Sequence, residues 1–126
     1  MNMSKHHITK LASMSTQLPD LIANLDATGT ELARQMGELK SKGLIYATEH
    51  WKDRKYMTLL YPIRAGEPRK REYVGKDPVK VQEAKDKIQR AKEYDALAAQ
   101  VKQLDTVLVE GLARLQEVTR MLSKAN

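Results

Sequence analysis

From Val79 to Glu110 the chain runs without a proline or a glycine. The stretch is rich in Ala, Lys, Glu, Gln and Leu, the residues that lose least on entering a helix. From Val101 on, Val101, Leu104, Leu108, Gly111, Leu115, Val118, Leu122 and Ala125 step by 3, 4, 3, 4, 3, 4, 3. An apolar seam with that step is how helices pair in coiled coils. Val81, Ala84, Ile88 and Ala91 make an earlier 3, 4, 3 run, out of phase with the later one. Either one long helix changes phase around Tyr94, or two helices meet there. Asp77-Pro78 marks the start, with an N-cap carboxylate followed by proline at the first helical position. Residues 77–126 are therefore expected to be a helical coiled-coil segment.

The opening region, Ser4 to Gly43, reads as three short helices. Ile8, Leu11 and Ala12 form one apolar stripe. Ser15 to Pro19 breaks it, because proline suits the first turn of a following helix. Leu21, Ile22 and Leu25 give the second helix. Asp26-Ala27-Thr28-Gly29 has turn composition. Thr28 or Thr30 then caps a third helix, which carries Leu32, Met36 and Leu39 at i, i+4, i+7. Gly43 ends it.

Between them, Leu44–Thr48 and Tyr56–Tyr61 favour strands, and Trp51–Lys55 is a polar tip joining them. Pro62 ends the second strand, Ala65–Pro68 is a turn, and Arg69–Val74 reads as a third, edge strand. This middle region holds the charge. Ten basic residues and four acids lie between Lys40 and Lys76, so the whole net charge of +6 falls there. Five of the six aromatics lie there too: Tyr46, Trp51, Tyr56, Tyr61 and Tyr73. Basic residues interleaved with aromatics suit a nucleic-acid surface. The blander alternative is a hairpin whose aromatics pack on the core while its charges are solvated.

The segment Leu21 to Ile45 offers Leu21 and Leu25, then Leu32, Met36 and Leu39, then Lys42-Gly43-Leu44-Ile45, with a basic hairpin after it. This arrangement resembles the winged helix-turn-helix of MarR- and ArsR-type repressors, over roughly Ile8 to Tyr61. The resemblance implies a mainly α fold with a small antiparallel β wing, followed by a long C-terminal helix or coiled coil. Residues 1–76 would be the DNA-binding domain and 77–126 the dimerisation segment. It also implies a recognition helix in the major groove. There Arg34 would pair with guanine, Gln35 with adenine, and Thr28 and Thr30 with phosphate. Lys40 and the wing cations Lys52, Arg54 and Lys55 would lie along the backbone, with Arg69, Lys70 and Arg71 beside them. Glu31, Asp20 and Asp26 bring negative charge close to that surface.

Other chemistries find little support. The chain has no cysteine, which excludes disulfides and thiolate chemistry. His6 and His7 have no further ligands at metal-binding spacing, and His50 reads as a surface histidine on the wing. Trp51 either stacks on a base or packs across the strands. No phosphate loop or catalytic triad is present, so an enzyme is not expected, nor a cofactor or metal. No apolar window approaches ~18 residues, and Met1 to Lys10 lacks a secretory signal, so a soluble cytoplasmic protein is expected. The expected partners are double-stranded DNA and a second copy of the chain. The expected function is a sequence-specific, dimeric transcriptional regulator, a repressor acting by occlusion. A plasmid- or phage-type accessory factor for partition, replication or recombination would use the same parts. The rival class is a protein-interaction module, such as an inhibitor of a nucleic-acid enzyme.

Overall fold

Asp77 and Pro78 open the last helix as their chemistry dictates. The Asp77 carboxylate accepts from the Val79 amide at 3.0 Å, and the Asp77 carbonyl accepts from Val81 at 2.9 Å. In the computed structural model, which describes residues 3–126, the elements run α1 (Met3–Lys42), β1 (Thr48–Lys52), β2 (Tyr56–Leu60), β3 (Arg71–Gly75) and α2 (Pro78–Lys124). The fold is mainly α with a small antiparallel three-stranded sheet and a long C-terminal helix. The helix at Tyr94 is unbroken, so the two apolar runs belong to one helix that changes phase.

The three short helices expected at the start are one helix instead. Pro19 lies inside α1, and the turn expected at Asp26–Gly29 is helical. Among residues 3–42 there is thus no turn setting off a separate recognition helix. Two local features explain the continuity. The Thr28 hydroxyl donates to the Asn24 carbonyl at 3.0 Å, one helical turn back, so it does not cap a new helix. A Cβ added at Gly29 would lie 3.3 Å from Leu104 Cδ2. Gly29 is therefore a close-approach glycine within the helix and not a turn residue. Leu18, Leu25, Gly29, Leu32, Met36 and Leu39 are covered positions of α1, and they form one stripe through the supposed turn.

Two compact units divide the chain: Met1–Arg34 with Val101–Asn126, and Gln35–Gln100. The second unit holds the sheet and the first half of α2, so the start of α2 shares the sheet's core rather than opening a separate segment at 77. Met57 and Leu59 are essentially inaccessible there and pack with Ala84, while Ile45, Ala47, Tyr61, Val74, Val81 and Ile88 surround them. Strand alternation sends Met57 and Leu59 to α2 and Tyr56, Thr58 and Leu60 the other way. The first unit is more open: residues 4–17 and 105–126 are all exposed.

The sheet order is β1-β2-β3, antiparallel throughout. β1 begins four residues later than the sequence predicts. Leu44–Ala47 does not join the ladder, because the Ile45 amide donates to the Lys87 carbonyl of α2 at 3.1 Å. Gly43, at φ 101, makes the turn out of α1, and Arg90 caps the exposed Lys42 carbonyl at 3.0 Å.

Candidate nucleic-acid interface

The hairpin between β1 and β2 turns at Asp53 and Arg54, with φ of 55 and 58. Two successive positive φ angles are those of the type I′ turn, whose twist matches that of the strands it joins. The Lys55 amide closes the turn on the Lys52 carbonyl at 3.1 Å. Lys52, Arg54 and Lys55 are thereby gathered at one exposed tip, with Asp53 between them.

Register assigns the faces. Thr48, His50 and Lys52 pair with Leu60, Thr58 and Tyr56, while Arg71 and Tyr73 pair with Leu60 and Thr58. Directly paired residues point to the same side. The outer face therefore carries His50, Lys52, Tyr56, Thr58, Arg71 and Tyr73. A register shift between Met57 and Thr58 leaves Val74 as an extra residue opposite β2, a bulge completed by Gly75 at φ 95.

The remaining expected DNA-binding side chains of this region are engaged within the protein. Arg69 donates through Nε to the Tyr61 carbonyl at 3.1 Å, and Lys70 Nζ sits 4.7 Å from the centre of the Tyr61 ring. The Tyr61 hydroxyl donates to Glu72 at 2.8 Å. Of Arg69, Lys70 and Arg71, only Arg71 lies on the outer face. Trp51 pairs with Met57 and so faces α2. There its indole N–H donates to Glu49 at 3.2 Å, and Lys85 Nζ stands 5.5 Å from the ring centre. Trp51 itself remains 37% exposed.

On α1 the expected DNA-binding residues are spread out. Thr28 and Thr30 lie in mid-helix, and Thr28 and Arg34 are exposed to solvent. Arg34 forms a two-pronged ion pair with Glu31, at 2.9 and 2.7 Å. Gln35 is half-buried, in a hollow it lines with Glu38, Leu39, Lys42, Glu93, Ala96 and Leu97. Lys40 is exposed in the last turn of α1, where a cation suits the helix dipole. Thr28, Thr30 and Arg34 belong to the first unit, and the sheet and hairpin to the second.

The alternation of β3 could have flagged Tyr73 as an outer-face residue. The sequence did mark it among the clustered aromatics, but not as a binding residue. Burial raises the pKa of Tyr61 above its ordinary value, reinforced by its hydrogen bond to Glu72. Tyr46 is raised too, by burial first and then by its 2.8 Å hydrogen bond to Asp95. Among the described residues no group of three or more His, Cys, Asp or Glu is placed to hold a metal, and no helix is long and apolar enough to cross a membrane. Comparison with protein families, curated proteins and solved structures finds no match for this chain.

Proposed function

We propose that this chain is a double-stranded DNA-binding protein, dimeric through its C-terminal helix, and that it acts as a transcriptional regulator. The observation that carries the reading is the location of the charge. The segment with the whole excess of +6, Lys40 to Lys76, spans the last turn of α1 and the sheet with its hairpin, and the sheet and hairpin themselves carry seven basic and four acidic residues. Lys52, Arg54 and Lys55 project together from its tip, and Arg71 adds to the outer face. Cations clustered on a rigid hairpin can follow a phosphate backbone and release its counterions, a sequence-independent source of affinity. A separate recognition helix has no part in this binding mode, since α1 is continuous.

Dimerisation is supported by the exposed seam of α2. Leu108, Leu115, Val118 and Leu122 are 38–49% exposed. A partner helix covering them would join two basic hairpins, and binding two sites at once raises modest affinity by avidity.

Selection of bound duplexes from a random-sequence library tests class and target together. Enrichment of a motif at moderate salt is the expected result. Absence of any duplex binding ends the DNA reading and favours the protein-interaction class. Retention of random duplex without enrichment keeps DNA binding and removes the regulator role.

A further inference from the structure

Tyr73 is 68% exposed, an unusual position for a large aromatic residue in the middle of a strand. Its ring is not loose. A Cβ on Gly75 would lie 3.5 Å from Tyr73 Cε2 and 3.7 Å from both Cζ and Oη. The far edge of the ring therefore lies at contact distance from the Gly75 position. Tyr56 lies on the same side of the sheet, and Tyr56, Thr58, Tyr73, Lys52 and Asp53 line one shallow hollow. His50 and Arg71 flank it by register. Asp53 is the one acid in its lining.

We infer that this outer face is a stacking platform for unpaired bases of single-stranded DNA, with Tyr73 as the principal ring, Tyr56 beside it, and Lys52 and Arg71 taking the phosphates. Paired bases are stacked inside a duplex and offer no face to such a ring, whereas an unpaired base does. The complement of the patch is a flat apolar group carried on an anionic chain. The inference does not rest on duplex binding, although Lys52 and Arg71 are cations that the duplex reading also uses, and what it adds is the pair of rings. With duplex held at the hairpin tip, the same sheet would hold a strand where a duplex has opened.

The test uses the full-length chain, a fluorescent oligothymidylate and a blunt duplex, with binding read by anisotropy. Tyr73→Ala should weaken oligothymidylate binding roughly 5- to 150-fold, the usual range for removing one stacking ring. Tyr73→Phe should bind within about twofold of the parent, because the ring and not the hydroxyl does the stacking. Photocrosslinking of an iodouracil-substituted oligonucleotide to the wild-type chain should label the Tyr73 or Tyr56 peptide, a readout independent of how Tyr73→Ala folds. Equal binding by parent and a folded Tyr73→Ala, or crosslinks only outside this face, overturns the inference. Binding of blunt duplex without binding of oligothymidylate also overturns it and leaves the duplex reading standing. Binding of oligothymidylate through Tyr73 without duplex binding supports it and ends the duplex reading.

Discussion

Arg54 holds a backbone angle of φ 58, next to Asp53 at φ 55. Asp tolerates that region, but a long unbranched side chain gains nothing locally there. Glycine would relieve a cost of about 1 kcal/mol. A charged residue kept at a strained tip points to a role for the charge. Arg54→Gly should therefore raise the melting temperature while weakening duplex binding. It should also flatten the dependence of log K on log salt by about 0.9 for each phosphate that Arg54 neutralises. A more stable variant with an unchanged salt slope would place Arg54 away from the phosphates. Tyr61 and Tyr46 give a second test. Their folded pKa values are raised by burial and by hydrogen bonds to Glu72 and Asp95. The native state thus holds these protons more tightly than the unfolded chain. The stability this contributes is complete below the ordinary tyrosine value near 10 and is lost as pH rises through the higher folded values. Alkaline titration of tyrosinate absorbance should show a late component that Tyr61→Phe reduces. At this scale the sequence revealed which residues are cationic or aromatic, but not which are engaged. Arg69 meets the Tyr61 carbonyl, and Trp51 meets Lys85, through partners that no local spacing predicts.

The helices show where local signals mislead. Pro19 and Gly29 read as boundaries, yet both lie inside α1. A proline costs a helix about 3 kcal/mol and a glycine about 1, which tertiary packing along a continuous stripe can outweigh. What the sequence could not show was that Gly29 faces Leu104, 75 positions away. The two glycines of α1 make this measurable. Nothing lies within 4 Å of a Cβ added at Gly37. Gly37→Ala should gain close to the full helix-propensity difference of about 1 kcal/mol in denaturant melts. Gly29→Ala should gain less, because the Leu104 methyl at 3.3 Å must yield by a few tenths of an ångström. Were Gly29 a turn residue with positive φ, the alanine variant would instead be clearly destabilised. The start of α2, by contrast, was legible from Asp77-Pro78, since a cap is a local device whose partner lies two residues away. β2 was legible too, because Tyr56–Leu60 is built from strand-favouring residues. β1 was misplaced because its apolar lead-in, Ile45 and Ala47, packs on the core without pairing.

For the whole molecule, the governing balance is between exposed apolar surface and a lone chain. Val101 and Leu104 are half-covered, but every residue from 105 to 126 is exposed. Fully burying an exposed leucine contributes about 1.5–3 kcal/mol, and the seam leucines, 38–49% exposed, gain the part still in water when a partner helix covers them. The heptad step was readable because it is periodic, whereas what covers its start was not, because Leu104 meets Gly29 of α1, 75 positions away. Leu115→Asp puts a charge in the middle of the seam, at a position 38% exposed in the single chain, where it does little harm to the monomer. By sedimentation the parent should run as a dimer and the variant as a monomer. Duplexes carrying two sites should be held roughly 10²-fold less tightly by the variant, while single-site binding stays the same, because only avidity has been removed. A parent chain that sediments as a monomer at every concentration would falsify the dimer, and the basic hairpin would then have to bind DNA without that gain.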